Sequence, residues 1–393
     1  MASWRVFSRR LPPHAEANAL SRALDTLRAS GVHITDLTKS NPTRAGIGYP
    51  DGLLDPLADP AAMQYEPHPF GLLSARAAVA ADQRRRGVSV DPAHVVLTAS
   101  TSEAYSWLFK LLCSPGEMVL VPQPSYPLFE HLTALEGVQV HPYSLEYHGR
   151  WSIDLASVAT AKDVARAVLI VSPNNPTGSY VTSDDLAAVA DLCRRRRWAL
   201  VVDEVFADYP LDVIDPLTDV AARDAGVLSF TLGGLSKTVG LPQLKLGWMI
   251  VGGPAPERDA ALASLELIAD SYLSVGTPVQ VAAARLLCAG AAVRAAIHER
   301  LRHNLGVLRA TAGRFPACEV LRAEGGWSAV VRVPSAWREE ELVLSLLEQE
   351  RVLVHPGYFF DFPAEAYLVV SLLPPPDQLA EAVARVLQFV SRR

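Results

Sequence analysis

Five short runs of apolar, largely β-branched residues recur along the chain, beginning at Val95, Met118, Ala167, Ala199 and Met249, and each leads into Ser, Pro, Asp or Gly. Unbroken apolar runs of this length suit strands buried on both faces, as in a parallel sheet covered by helices. Between the runs the periodicity is helical, as over Thr101–Leu112 and residues 186–197. Such strand-helix alternation predicts a three-layer α/β domain with a mostly parallel sheet. Ligands of such sheets sit at the carboxyl ends of the strands, where Ser100, Pro124, Asn175 and Asp203 fall. From about Val281 long alanine-rich helices precede short strand-like runs at 329–333, 352–354 and 368–370, which predicts a smaller α+β domain.

A chain of 393 residues has room for two or three domains and a substantial core. Its formal charge of -6 and pI near 5.9 argue against nucleic acid or an anionic membrane as partner. The basic run at 194–197 falls on an amphipathic helical pattern and reads as a solvated face. Cys113, Cys193, Cys288 and Cys318 show no paired spacing, so neither a zinc site nor a disulfide framework is expected, and a reducing cytoplasm fits. No apolar run approaches the roughly 18 residues of a membrane span. The arginine-rich start lacks a secretory apolar stretch and reads as an exposed N-terminal arm.

Single residues at the strand ends carry ordinary readings when taken one at a time. Lys237 lies in a Gly/Ser-rich turn shortly before Lys245, and a lone loop lysine is usually solvated. Asp203 ends an apolar run, where a helix N-cap is the common use of aspartate. Asn175 sits in Asn-Asn-Pro-Thr-Gly, a turn sequence. Ser100, Thr101 and Ser102 open a helix, which makes them caps or, with their free N–H groups, an anion site.

In combination they are more specific. With Ser-Pro-Asn-Asn175-Pro-Thr-Gly, then Asp203-Glu-Val-Phe206, then Leu235-Ser-Lys237, the chain resembles the class I/II aminotransferases from about Asp36 to Ser371. These are pyridoxal 5'-phosphate enzymes of fold type I. The resemblance implies a large domain over 48–280 with a seven-stranded-type sheet, and a small α+β domain built from 1–47 and 281–393. It implies that Lys237 forms the internal aldimine and then moves a proton between the substrate Cα and the cofactor. Asp203 would pair with the pyridine nitrogen and Asn175 with the phenolic oxygen. Ser100, Thr101, Ser102, Ser236 and Lys245 would hold the phosphate, Lys245 standing where most relatives carry arginine. Tyr126 would stack on the ring. Tyr65 would reach the phosphate of a neighbouring subunit, which implies a homodimer with shared active sites.

Three positions depart from the family pattern. Phe206 replaces a tyrosine that donates to the phenolic oxygen, and Gly234 replaces a frequent serine before the lysine. In Tyr367-Leu-Val-Val-Ser371, Val369 occupies the place of the arginine that clamps the substrate α-carboxylate. A charge-assisted contact is worth roughly 1.5 to 3 kcal/mol, so its loss weakens an ordinary amino acid on the order of ten- to a hundredfold. The substrate therefore lacks that carboxylate or meets another cation, of which Arg44 is the first candidate and Arg322 and His355 are weaker ones. The leading expectation is an aminotransferase with atypical substrate recognition. A lyase, decarboxylase or cyclase on the same scaffold would use the same Lys237, Asp203 and Asn175, and a catalytically silent cofactor-binding protein is the third reading.

Overall fold

The computed structural model describes residues 8, 10–11, 18–213, 226–336, 338–364 and 366–392, so most of the expected N-terminal arm lies outside the described residues. Its main sheet contains β1 (Val95–Thr98), β2 (Met118–Gln123), β3 (Gln139–Tyr147), β4 (Trp151–Ile153), β5 (Ala165–Val171), β6 (Ala199–Asp203), β7 (Ser229–Gly234) and β8 (Gly247–Gly252). Their order across the sheet is β1-β8-β7-β6-β5-β2-β3-β4. Only β8 and the edge strand β4 pair antiparallel with their neighbours.

Both faces of the central strands are dry, which is why their sequences are apolar without alternation. Leu200 and Val202 of β6 join one core cluster with Leu120 and Ile170, while Val201 joins another on the opposite face with Leu169 and Phe230. Helix Thr101–Leu112 packs on that second side. Its start is fixed by sequence: the Ser100 hydroxyl accepts the Glu103 N–H at 3.2 Å, and Glu103 Oε2 accepts the Ala99 N–H at 2.6 Å. Reciprocal bonding of this kind satisfies donors that a helix N-terminus leaves free.

Three strands of this sheet have no clean sequence signal. In β7, Ser-Phe-Thr-Leu-Gly-Gly dilutes its apolar content with glycine, and β3 carries Pro142, Glu146 and several exposed positions near the sheet edge. The eighth strand, β4, exceeds the expected seven-stranded sheet. It arises because Gly149, at φ 80°, turns the chain back on β3.

The smaller sheet is formed by β9 (Glu319–Val320), β10 (Ser328–Arg332), β11 (His355–Pro356) and β12 (Tyr367–Ser371), all antiparallel in the order β9-β10-β12-β11. Val369 lies between Val330 and His355 in register. The N-terminal segment returns here: Thr35–Asp36 pairs parallel with Val352–Leu353, and the Ser371 N–H donates to the Leu37 carbonyl at 2.7 Å. The Ser371 hydroxyl also donates to the Lys39 carbonyl, which fixes Thr38 and Ser40 beside β12. No single described helix is long and apolar enough to cross a membrane.

Candidate active site

The parallel strands β1, β7, β6, β5 and β2 all end on one edge of the sheet. Chain direction therefore delivers Ser100, Lys237, Asp203, Asn175 and Tyr126 to neighbouring positions on that edge, with adjacent strands about 4.8 Å apart. Together with Thr101, Ser102, Ser236, Lys245 and Val369 they line one cavity of about 390 Å³. The small sheet supplies the opposite wall through Trp327, Ser328, His355, Phe360 and Ser371.

Lys237 does not sit in an irregular turn but in a one-turn helix, Leu235–Thr238, which starts directly from the end of β7. Its backbone is held from behind: the Tyr209 hydroxyl donates to the Lys237 carbonyl at 2.5 Å, and Tyr49 donates to the Gly240 carbonyl at 2.6 Å. Its Nζ lies 4.6 Å from the centre of the Trp327 ring and 5.4 Å from that of Phe206. Those rings meet edge to face at 5.4 Å. Burial lowers the Lys237 ammonium from an ordinary 10.5 to about 8, against the attraction of Asp203. The result is an amine whose neutral fraction near physiological pH is a minority but far larger than that of an ordinary lysine, as a nucleophile or base requires.

Asp203 is buried at the end of β6 and caps no helix. Its Oδ1 accepts the Val205 N–H at 3.0 Å, a turn contact, and its Oδ2 accepts the Tyr105 hydroxyl at 2.9 Å. Burial raises its pKa, while Val205, Tyr105 and Lys237 oppose the rise. A desolvated carboxylate of this kind calls for a cationic partner in the cavity, which a protonated heterocyclic nitrogen satisfies. The helix start at Thr101 and the Lys245 side chain line the same cavity, bringing free N–H donors and a cationic side chain of the kind that can hold an anion. Lys245 adopts a left-handed conformation at φ 52°, unusual for a residue with a side chain.

Glycines at this edge bring strands close to the helix start. A Cβ on Gly247 would meet the Ser100 carbonyl carbon and Thr98 Oγ1 at 3.0 Å. At Gly234, where the family pattern often has serine, a Cβ would meet the Leu246 carbonyl oxygen and Gly247 Cα at 3.2 Å, so a side chain there would press on β8. The two adjacent asparagines divide their work. Asn174 is buried and bonds Ser125, Thr177 and the Pro124 carbonyl, whereas Asn175 faces the cavity.

Other expected positions lie elsewhere. Arg44 is exposed in the short turn Pro42–Arg44, outside the cavity lining, although Thr38 and Ser40 of the same segment belong to it. Arg322 pairs with Asp212 at 3.2 Å and is likewise not among the lining residues. His355 does line the cavity, but burial lowers its pKa, so it is mainly neutral at pH 7. Tyr65 is 74% exposed and borders a separate shallow cleft with Trp107 and Leu273. Tyr105 and Trp327 were not indicated by motif. Tyr105 is legible in retrospect as a polar-tipped aromatic on the buried face of helix Thr101–Leu112, one turn beyond Thr101. Trp327, after two glycines, gives no such signal.

Comparisons with known proteins fit this geometry. The chain belongs to the class I and II aminotransferases, whose family model matches residues 58–386. It is a pyridoxal-phosphate-dependent transferase of fold type I. It is 29% identical over 378 residues to an alanine aminotransferase of Mycobacterium tuberculosis, covering 93% of this chain and 87% of that one. An LL-diaminopimelate aminotransferase of Desulforudis audaxviator is 28% identical over 391 residues, covering 98% and 97%. In structure, an alanine aminotransferase from Pyrococcus furiosus superposes with a TM-score of 0.84 at 21% identity, over 96% of this chain and 100% of that one.

The electrostatics of the cavity make a direct prediction. In apoprotein with isotopically labelled lysine, the Lys237 signal should titrate with a midpoint of about 8, and Asp203→Asn should lower that midpoint because the attraction that favours the ammonium is removed. A wild-type midpoint near the ordinary 10.5 contradicts the account.

Proposed function

We propose that this enzyme transfers an amino group between an amine donor and a carbonyl acceptor through Lys237, without an arginine clamp for a substrate α-carboxylate. The observation that carries the reading is Lys237 itself, a lysine amine with a lowered pKa that shares one cavity with Asp203, Asn175 and an anion-binding helix start. Pyridoxal phosphate, when bound, supplies a ring that accepts the electron pair released at the substrate Cα. The residues of the chain do the rest. Thr101, Ser102, Ser236 and Lys245 bind the phosphate, and Ser100 contributes through the helix start that its hydroxyl caps. Lys245 contributes charge without the paired donors of a guanidinium. Asn175 would hold the phenolic oxygen, Tyr126 would cover the ring, and Asp203 would pair with the ring nitrogen and keep it protonated. Lys237 would be the residue that holds the cofactor through its amine, and its neutral amine would serve as the base that carries the substrate Cα proton. Phe206 and Trp327 keep water from its amine.

Substrate recognition is the part that departs from relatives named for alanine and LL-diaminopimelate. Val369 is buried in the cavity wall beside His355, and the basic residues of that wall are Lys237, Lys245 and His355. With Lys237 and Lys245 committed to the cofactor and His355 largely neutral, a substrate carboxylate has no free cation among the described lining residues. Arg44, exposed and outside the lining, is not placed to substitute within one subunit. This favours a donor whose reacting carbon bears no carboxylate, packed against Val369, Phe360 and Trp327. Such an enzyme would work in the cytoplasm, where Cys113, Cys193, Cys288 and Cys318 remain free thiols.

The second part of the proposal is a homodimer. Tyr65 and Met63 project from one segment at 74% and 88% exposure, and Leu273 shares the Tyr65 cleft. Apolar side chains this exposed are suited to cover by a second copy, which would bring Tyr65 to the phosphate of its neighbour.

Half-reactions of the holoenzyme with a panel of amines and amino acids, followed by cofactor absorbance, test the reaction and its substrate together. Carboxylate-free amines should convert the cofactor to its amine form faster than aspartate, glutamate or alanine. Val369→Arg should raise activity on amino acids by about tenfold or more at the expense of the native donor, with Arg44→Ala nearly silent. Efficient wild-type turnover of alanine or glutamate that survives Arg44→Ala contradicts the substrate reading, and elimination or decarboxylation products would replace transamination by the lyase alternative. For assembly, the protein should scatter light as a dimer at micromolar concentration, and Tyr65→Phe should raise the cofactor dissociation constant. An active monomer overturns this part.

A further inference from the structure

The Tyr105 hydroxyl is 2.9 Å from Asp203 Oδ2, and both side chains are buried, Tyr105 at 2% exposure. The bond joins two elements that the cavity uses for different purposes. Tyr105 stands on helix Thr101–Leu112, four residues beyond the start that forms the anion site, while Asp203 ends β6. About 6 Å of rise along the helix separates Tyr105 from Thr101. The ring is held in place by Phe129, edge to face at 5.2 Å, and by Phe109, stacked at 6.1 Å. Burial and the neighbouring Asp203 charge push the Tyr105 phenol well above its ordinary pKa of 10, so it keeps its proton and acts as a donor.

Asp203 receives one donor on each oxygen, Val205 N–H on Oδ1 and Tyr105 on Oδ2. Two donors on different elements fix the rotation of a carboxylate, which one donor does not. They also stabilise its charged form where burial opposes it. We infer that Tyr105 is a positioning residue: from the helix that presents the anion site, its hydroxyl keeps the Asp203 carboxylate ionised and turned toward the cofactor ring nitrogen. The inference rests on the role proposed above for Asp203. When ring nitrogen and carboxylate face each other with one proton between them, a donor on the carboxylate lowers its affinity for that proton. Tyr105 thereby biases the proton toward the nitrogen, the state in which the ring accepts electrons best.

Tyr105→Phe removes the hydroxyl and keeps the ring packing. In protein loaded with cofactor labelled with ¹⁵N in the ring, wild type should give the signal of a protonated nitrogen through neutral pH. The variant should move toward the unprotonated signal, with a cofactor dissociation constant raised about tenfold. A ring that serves only as packing would leave the ¹⁵N signal and its pH profile unchanged, and that result overturns the inference. An unprotonated signal already in wild type fails the Asp203 proposal instead, which separates the two failures. Phe109→Leu, which alters packing without touching the hydroxyl, should leave the ¹⁵N signal as in wild type. Should Tyr105→Phe not fold, p-aminophenylalanine at position 105 preserves the shape and a weaker donor. It should give an intermediate ¹⁵N shift, and no shift contradicts the inference.

Discussion

Lys237 and Asp203 follow the ends of neighbouring parallel strands and carry opposite charges into one desolvated cavity, where burial pushes each toward its neutral form. Their attraction offsets part of that cost but not all of it, since Lys237 remains lowered and Asp203 remains raised. The rest of the site can be read as what holds this pair. Tyr209 and Tyr49 anchor the backbone around the lysine, Phe206 and Trp327 enclose its amine, and Val205 and Tyr105 fix the carboxylate. A cofactor with a basic ring nitrogen and an electrophilic carbonyl answers both needs at once.

The same arrangement separates the side of the cavity proposed to hold the cofactor from the side proposed to meet the substrate. The groups proposed to hold the cofactor come from the ends of the large-sheet strands, where register and chain direction fix them. The substrate side comes from β11, β12 and the segment around Thr38 and Ser40, joined through Ser371 and Leu37. Val369 is buried between Val330 and His355, where the backbone carries the sheet pairing and the side chain bears on the wall of the cavity.

Strands β1, β2, β5, β6 and β8 were readable because both faces are buried and their sequences stay apolar, and helix Thr101–Leu112 was readable from its periodicity. Strand β7 was not, although it leads directly into the turn of helix that carries Lys237, because the close approach of β8 at Gly234 requires a glycine that weakens its pattern. The shared cavity of Lys237, Asp203, Asn175 and the Ser100 segment was legible because a strand-end position is a sequence property once chain direction is known. Trp327 was not, and Tyr105 only in retrospect, since the contacts of both reach across elements far apart in sequence. Arg44 illustrates the converse. Its neighbours Thr38 and Ser40 reach the cavity, but the turn at Pro42–Arg44 leaves the arginine side chain exposed.

The central claim is that Lys237 is the one residue joined covalently to the cofactor, and borohydride reduction of the holoenzyme followed by peptide mapping tests it most directly. Reduction should fix the cofactor to a single peptide containing Lys237, and Lys237→Ala should still bind cofactor without any becoming fixed to the chain. A cofactor label on Lys245 or another lysine, or no label in reduced wild-type holoenzyme, would contradict the account.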